Sequence, residues 1–433
     1  EQAAMVRPSC HGSNRPTCHG SNRPTASLRA MGPEDLPSLL AGSTEVVPAE
    51  ELDRKLRLGR PLRVKLGLDP TAPVVTLGWA VVLRKLRQFQ EAGHVAVLIV
   101  GDFTARVGDP SGRAETRPRL SKDEVQGHAD RLLDQFWKVL DPERTEVRYN
   151  AEWLEPMDTE AILRLTASTT VARMLERDDF AKRYAQGKPI SIMEFLYPLL
   201  QGMDSVAVEA DVELGGRDQT FNLLIGRDLQ REHGQEPQVA LTTPLLVGTD
   251  GVQKMSQSVG NYIGITDPPD EMFGKLVRVP DELIATYRLL ALDFFRDPAE
   301  ADRVAKGLAE GSVDPWQEKR RLAREVVHLY HGDGAGEAAE ARFDQVHRDH
   351  ELPDDVPEHE IPEDIVRDGV VYLPKLLFAL GLADSNSQAR RLIEQGGVKL
   401  DGEAVTDVEE ELPVEQLRGR VLQVGRRGFA RLE

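Results

Sequence analysis

Residues 67–86 read GLDPTAPVVTLGWAVVLRKL, and the parsing of this stretch decides the fold. An apolar strand runs into Asp69-Pro70-Thr71, a short loop follows, and Leu77-Gly78-Trp79 opens a helix with apolar residues at helical spacing. LRVKLGL (62–68) and HVAVLIVGDF (94–103) are near-continuous apolar runs of the kind buried on both faces of a parallel sheet. With LGWAVVLRKLRQFQEAG as an amphipathic helix between them, ending at Gly93, they form a β-α-β unit. EVRYN (146–150) predicts a further strand, 158–204 several helices, and 206–214 and 238–247 two more strands. The expected fold class is α/β, a doubly wound, Rossmann-like parallel sheet with ligands beyond the carboxyl ends of its strands.

Around this core the 433 residues divide into a leader (1–30), the Rossmann-like domain (31–265), a helical domain (266–348), an acidic, proline-rich linker (349–365) and a small α+β domain (366–433). The formal charge of −18 argues against broad coating of DNA or RNA, while leaving room for a local basic patch. No apolar run reaches the ~20 residues of a membrane span, so no membrane partner is expected. Both cysteines, Cys10 and Cys18, lie in a tandem octapeptide, CHGSNRPT, at 10–17 and 18–25. With His11 and His19 they offer zinc donors, but nothing apolar surrounds them, so a disordered leader and no structural metal are expected. The folded body cannot form a disulfide, and the chain starts without a signal pattern, which together predict a cytoplasmic protein.

Candidate chemistry follows the strand ends. Alternation places Lys65, Gly67 and Asp69 on one face of the first strand. Gly78 at the helix start leaves space for a flat ring, and a helix N-terminus favours phosphate. GDFTARVGDPSGR (101–113) gathers Asp102, Thr104 and Asp109 among glycines, ready for a substrate ammonium or for local turn bonds, with Arg113 placed to meet an anion. In SIMEFLYPLLQGMD (191–204), Tyr197, Gln201 and Asp204 share one face of an apolar helix that Pro198 can kink. A carboxylate there needs a partner, from substrate or from protein. GGRDQTFN (215–222) puts Gly216, Asp218 and Gln219 at a turn into a helix, where Asp218 serves a ribose or caps the helix. DGVQKMSQSVGNYIG (250–264) is a glycine-flanked loop carrying Lys254, Met255, Ser256, Gln257 and Ser258.

In this order, DPTAPVVTLGWA, VGDFTARVGDPSGR, YPLLQGMDS, ADVELGGRDQTFN and PLLVGTDGVQKMSQS resemble the bacterial tyrosyl-tRNA synthetases, a class I aminoacyl-tRNA synthetase family. The resemblance runs from about residue 33 to the C-terminus. Residues 271–345 resemble the anticodon-binding domain, and LPKLLFALGLADSNSQARRLIEQGGVKLDGEAV (373–405) resembles the S-four-type RNA-binding module. In that module Ser385 and Gln388 form a possible capping box, and Arg390, Arg391 and Lys399 give a basic surface for RNA.

The resemblance implies activation of tyrosine by ATP to an adenylate, then esterification of tRNA(Tyr), by a homodimer using ATP as substrate with Mg2+. It assigns Asp109, Tyr197 and Gln201 to the substrate ammonium, and Asp204 and Lys65 to the phenolic hydroxyl. Gly67, Asp69, Thr71, Thr76, Gly78, Trp79, Gly216, Asp218 and Gln219 fall to ATP, as do Met255, Ser256 and Ser258. Lys254 and the Gln257 position go to the departing pyrophosphate.

Thr76 and Trp79 stand where the family's HIGH signature has histidines, and Gln257 where its KMSKS loop has a second lysine. Arg217 and Met203 replace a usual small residue and a usual tyrosine. Two readings of the residues follow: a tyrosine–tRNA ligase, or a catalytically impaired paralogue that binds tyrosine or tRNA for regulation.

Overall fold

The computed structural model describes residues 36–108, 121–292, 298–348, 356–405, 407–409, 411–425 and 428–433. The leader with both cysteines, Asp109, Arg113 and the first half of the expected linker lie outside them. The chain divides into two compact units. One comprises the described residues up to Pro73 with Val82–Pro244, the other Val74–Val81 with the described residues from Leu245.

The first unit is built on a six-stranded sheet of β1 (Glu45–Val47), β2 (Arg63–Leu68), β3 (Val95–Val100), β4 (Thr145–Tyr149), β5 (Val212–Gly216) and β6 (Val239–Thr243). Their spatial order is β1-β6-β5-β2-β3-β4, with β1 antiparallel to β6 and the other pairs parallel. The chain winds outward from β2 through β3 and β4, then returns to β5 on the other side. The β2/β5 junction is therefore the topological switch point, where a doubly wound sheet opens a ligand crevice. Strand β5 starts at Val212, later than the expected 206, because α2 (Ile192–Ala207) continues into that stretch.

Helix α1 (Leu77–Glu91) follows β2, and α2 and α3 (Thr220–Glu232) pack closely together. At their crossing a Cβ on Gly202 would lie 2.6 Å from a Leu229 methyl and 3.3 Å from the Gly226 Cα. Only hydrogen at both positions allows this approach. Leu199, Leu200, Ile225 and Leu229 form the core between the helices.

In the second unit, Thr76 pairs antiparallel with Gly264, Leu77 N donates to the Ile263 carbonyl and Ile265 N to that of Val75. These bonds fasten residues 74–81 to the segment after Leu245, so the unit boundary falls at Pro244 and not at 265. Five helices follow, between Pro269 and Arg348. Among the described residues the S-four-like region carries helices Leu373–Ala379, Asn386–Glu394 and the short Val414–Leu417, beside a five-stranded sheet. Glu358–His359, inside the expected linker, pairs in parallel with Arg431–Leu432 of that sheet, and Ile361 joins its core. The acidic composition hid a strand whose apolar neighbours complete a small core.

Candidate active site

The first unit places one constellation at the carboxyl ends of β2 and β5 and against α2. Lys65 and Asp69 both turn toward α2, as alternation along β2 requires. The Asp69 carboxylate accepts from Tyr197 OH at 2.9 Å and from Thr104 Oγ1 at 2.7 Å. Thr104 in turn accepts from Asn150 Nδ2 at 2.9 Å. Gly101 makes room for this: a Cβ there would sit 2.1 Å from Asp69 Oδ1 and 2.4 Å from Thr104 Oγ1. At Gly67, by contrast, a Cβ would meet no protein atom within 4 Å, so the strand presents open space where a ligand can lie.

Asp204 is the buried carboxylate that the α2 pattern anticipates. It is 3% exposed and accepts from Trp153 Nε1 at 2.9 Å and Asn150 Nδ2 at 3.5 Å. Burial, the largest cause, pushes its carboxyl up to about 7, against the Lys65 charge and the Trp153 bond, while the Glu213 charge adds to the rise. The carboxyl group thus titrates near neutrality and retains acceptor capacity for a hydroxyl.

Lys65, expected at a substrate hydroxyl, has other partners. Its fully buried ammonium donates to Gln201 O (3.1 Å), Ser205 Oγ (2.8 Å) and Glu213 Oε1 (2.9 Å), which uses all three hydrogens. The register causes this, since Lys65 and Glu213 lie side by side on β2 and β5. Glu213 is itself saturated by Gln201 Nε2 (3.2 Å), Ser205 Oγ (3.1 Å) and Gln238 Nε2. Gln201 Oε1 accepts from Asn222, which also donates to Gln219 Oε1 at 2.9 Å. Two bonded sets thus meet α2: one links Tyr197, Asp69, Thr104, Asn150 and Asp204, the other Lys65, Glu213, Gln201, Asn222 and Gln219.

Asp218 lies in a 3-10 turn, Arg217–Gln219, and does not take the N-cap of α3, which is Gln219, whose side chain makes no capping bond. Arg217 is a largely exposed side chain 3.9 Å from Glu45. Asp102 accepts from Ala151 N at 2.9 Å, 49 residues along the chain, so its carboxylate holds the start of the helix Ala151–Leu154 rather than a local turn. Thr71 N bonds to the Asp69 carbonyl at 2.8 Å and tightens the turn after β2.

The second unit holds the altered signatures. Thr76, 2% exposed, caps α1 by accepting from Trp79 N at 3.3 Å. Gly78 N donates to the Met255 sulfur at 3.3 Å, and the Trp79 side chain is 36% exposed. Gln257 clasps the Val74 backbone reciprocally: Nε2 donates to Val74 O at 2.6 Å and Oε1 accepts from Val74 N at 3.3 Å. The loop turns about Asn261, which accepts from Ser256 N at 2.8 Å and donates to Asp250 at 2.9 Å. Ser256 and Ser258 pair at 2.9 Å, and Lys254 is exposed.

In the S-four-like region Arg390 donates to Tyr372 OH at 2.7 Å and to Glu409, whereas Arg391 is exposed and Lys399 half-buried. Ser385 caps its helix from Gln388 N, but the Gln388 side chain reaches Asp384 N, one residue short of a full capping box. Among the described residues, no group of three or more His, Cys, Asp or Glu is placed to hold a metal, and no helix is long and apolar enough to cross a membrane.

Asn150, Trp153, Ser205, Glu213, Asn222 and Asn261 escaped the reading of the sequence. Two carried a signal: Asn150 ends a parallel strand, and Glu213 interrupts an apolar strand as Lys65 does.

A family model of the tRNA synthetases class I (W and Y) matches residues 57–348, and one of the S4 domain matches 373–416. The chain is 55% identical over 398 residues to the tyrosine–tRNA ligase of Moorella thermoacetica, covering 91% of this chain and 94% of that protein. It is 48% identical over 398 residues to tyrosine–tRNA ligase 2 of Vibrio parahaemolyticus, covering 92% and 98%. The tyrosyl-tRNA synthetase of Archaeoglobus fulgidus, solved with L-tyrosine, superposes with a TM-score of 0.58 at 24% identity, over 72% of this chain and 99% of that one, a likeness of fold.

Proposed function

The chain belongs to the class I tRNA synthetases of the W and Y type, and on that premise we propose the roles of its residues as a tyrosine–tRNA ligase. The reaction is ATP-dependent. The tyrosine carboxylate attacks the α-phosphate of ATP, pyrophosphate leaves, and a terminal ribose hydroxyl of tRNA(Tyr) then displaces AMP from the adenylate. No enzyme nucleophile is required; the site works by positioning and by stabilising charge.

The observation that carries these roles is the buried Asp204, held by Trp153 and Asn150 with acceptor capacity to spare. It takes the phenolic hydroxyl, and a site built for that bond rejects phenylalanine by leaving a buried polar group unpaired. Tyr197 and Gln201 receive the ammonium group, with Asp109 as the third ligand. Gly67 and Asp69 border the adenylate, Asp218 binds its ribose, and Gln219 lies by the reacting carboxylate. Thr71, Thr76, Gly78 and Lys254 serve the triphosphate. Mg2+ arrives with the ATP phosphates, the usual manner for that ion. Arg391 and Lys399 meet RNA phosphates.

A second copy of the chain covers Leu163, Val171, Tyr184 and Ile192, which are 63–79% exposed in the first unit. The protein works in the cytoplasm as this dimer.

Exchange of labelled pyrophosphate into ATP tests the assignment. Exchange with tyrosine and none with phenylalanine or tryptophan is expected, followed by charging of tRNA(Tyr). Equal exchange with phenylalanine would overturn the role of Asp204.

A further inference from the structure

Beneath Asp204 lies a buried ion pair that touches no substrate in the roles above. Lys65 on β2 and Glu213 on β5 are adjacent in register, 2.9 Å apart and no more than 1% exposed. The Lys65 ammonium seats against the turn of α2 that bears Asp204, bonding Gln201 O on one side and Ser205 Oγ on the other. A buried lysine–glutamate pair is a costly way to fill a core, and apolar residues of like volume are often as stable. Its placement suggests another use.

We propose that Lys65 and Glu213 are positioning residues for amino-acid choice: Lys65 keeps Asp204 charged as the acceptor of a phenolic hydroxyl, and Glu213 moderates that effect. The inference rests on the tyrosine pocket proposed above. Among the described residues no cation is bonded to Asp204; its neighbours Trp153 and Asn150 do not titrate. The charges that face it are Lys65, which favours its ionised form, and Glu213, which opposes it. On its own helix Tyr197 turns away to Asp69, the next carboxylate. With both members in place, the carboxyl is poised near pH 7. Loss of either charge therefore moves it through the physiological range, and in opposite directions.

The test uses the full chain with Lys65→Gln and Glu213→Gln, each retaining hydrogen-bonding groups. The Asp204 titration is read by carbon-13 NMR of labelled aspartate, assigned by its absence in Asp204→Asn. Binding of tyrosine and of phenylalanine is measured by calorimetry between pH 5.5 and 9. Lys65→Gln should move the titration up by a unit or more, and Glu213→Gln should move it down. Tyrosine affinity in Lys65→Gln should fall about tenfold for each unit by which the titration passes above the assay pH, with phenylalanine affinity unmoved.

A merely structural pair would weaken both ligands alike and leave the titration in place. Shifts of the same sign in the two variants, or none, would overturn the proposal while wild-type tyrosine binding keeps the ligase reading intact. Should Lys65→Gln fail to fold, the sign of the Glu213→Gln shift decides alone. Failure of the wild type to bind tyrosine would overturn the ligase reading and this proposal together.

Discussion

Replacing Asp204 by asparagine should make the protein more stable at pH 8 while removing its preference for tyrosine. The carboxyl group rises from its ordinary 3.8 to about 7 in the fold, chiefly through burial. At ~1.36 kcal/mol per unit, that shift amounts to about 4 kcal/mol. Because the folded value is the higher one, the protonated group's contribution is fully present below pH ~4 and is lost as pH rises to about 7. Above that the loss is constant. The side chain is 3% exposed, so solvent screening removes little of it. Asparagine keeps the shape and the acceptor for Trp153, but it sets one amide NH2 against that of Asn150, which offsets part of the gain. The variant should trail wild type by about 1–2 kcal/mol near pH 4 and exceed it by about 2–3 kcal/mol at pH 8. Urea unfolding at pH 4, 5, 6, 7 and 8 measures this, with the gap widening by up to ~1.4 kcal/mol per unit and then levelling. A gap independent of pH would refute the reasoning, since it would mean that Asp204 ionises inside the fold as readily as in the unfolded chain.

Thr76→His, Trp79→His and Gln257→Lys together should raise tyrosine-dependent pyrophosphate exchange, by ~10²–10³ for each restored transition-state donor; an unchanged rate would mean the altered signatures do not limit activation. Gly101→Ala drives a methyl onto Asp69 and Thr104 and should lower exchange at least tenfold, about what one broken bond to a charged group costs, with circular dichroism unchanged. In tRNA binding, Arg391→Ala and Lys399→Ala should each reduce the salt slope by about one, whereas Arg390→Ala should change it less because Arg390 already pairs with Glu409; a larger loss at Arg390 would reverse this ranking.

The sheet was legible because its strands are buried on both faces and read as apolar runs, and because α1 keeps its period from Leu77 to Glu91. Asp204, Tyr197 and Gln201 were legible for a related reason: polar residues repeating along one face of an apolar helix must meet something. The limits have equally physical causes. Lys65 carries a substrate-facing look in sequence, and only the register of β2 against β5 reveals that Glu213 consumes it. Asn150 and Trp153 reach Asp204 across more than 50 residues of chain, a distance periodicity cannot span. The strand at Glu358–His359 is too short and too acidic to show as one, and exists because Arg431–Leu432 offers it an edge.

The departures from the family signatures concentrate at one end of one helix. A helix N-terminus binds phosphate through N–H groups that lack helical partners. At the start of α1 these are answered from within: Leu77 N by the Ile263 carbonyl, Gly78 N by the Met255 sulfur and Trp79 N by the Thr76 hydroxyl. Thioether sulfur is the weakest of the three acceptors, so Gly78 N–H is the group a phosphate oxygen can claim at least cost. Threonine suits the cap, so the fold keeps its helix start, and in the roles proposed above it does so without histidine donors for departing pyrophosphate. Gln257 follows the same logic, since its amide both donates to and accepts from Val74, a reciprocal bond that lysine, having no acceptor, cannot make. Thr76 and Gln257 thus serve the ground-state fold, where in the roles proposed above charge develops only in the transition state. Such exchanges bear on rate far more than on tyrosine binding.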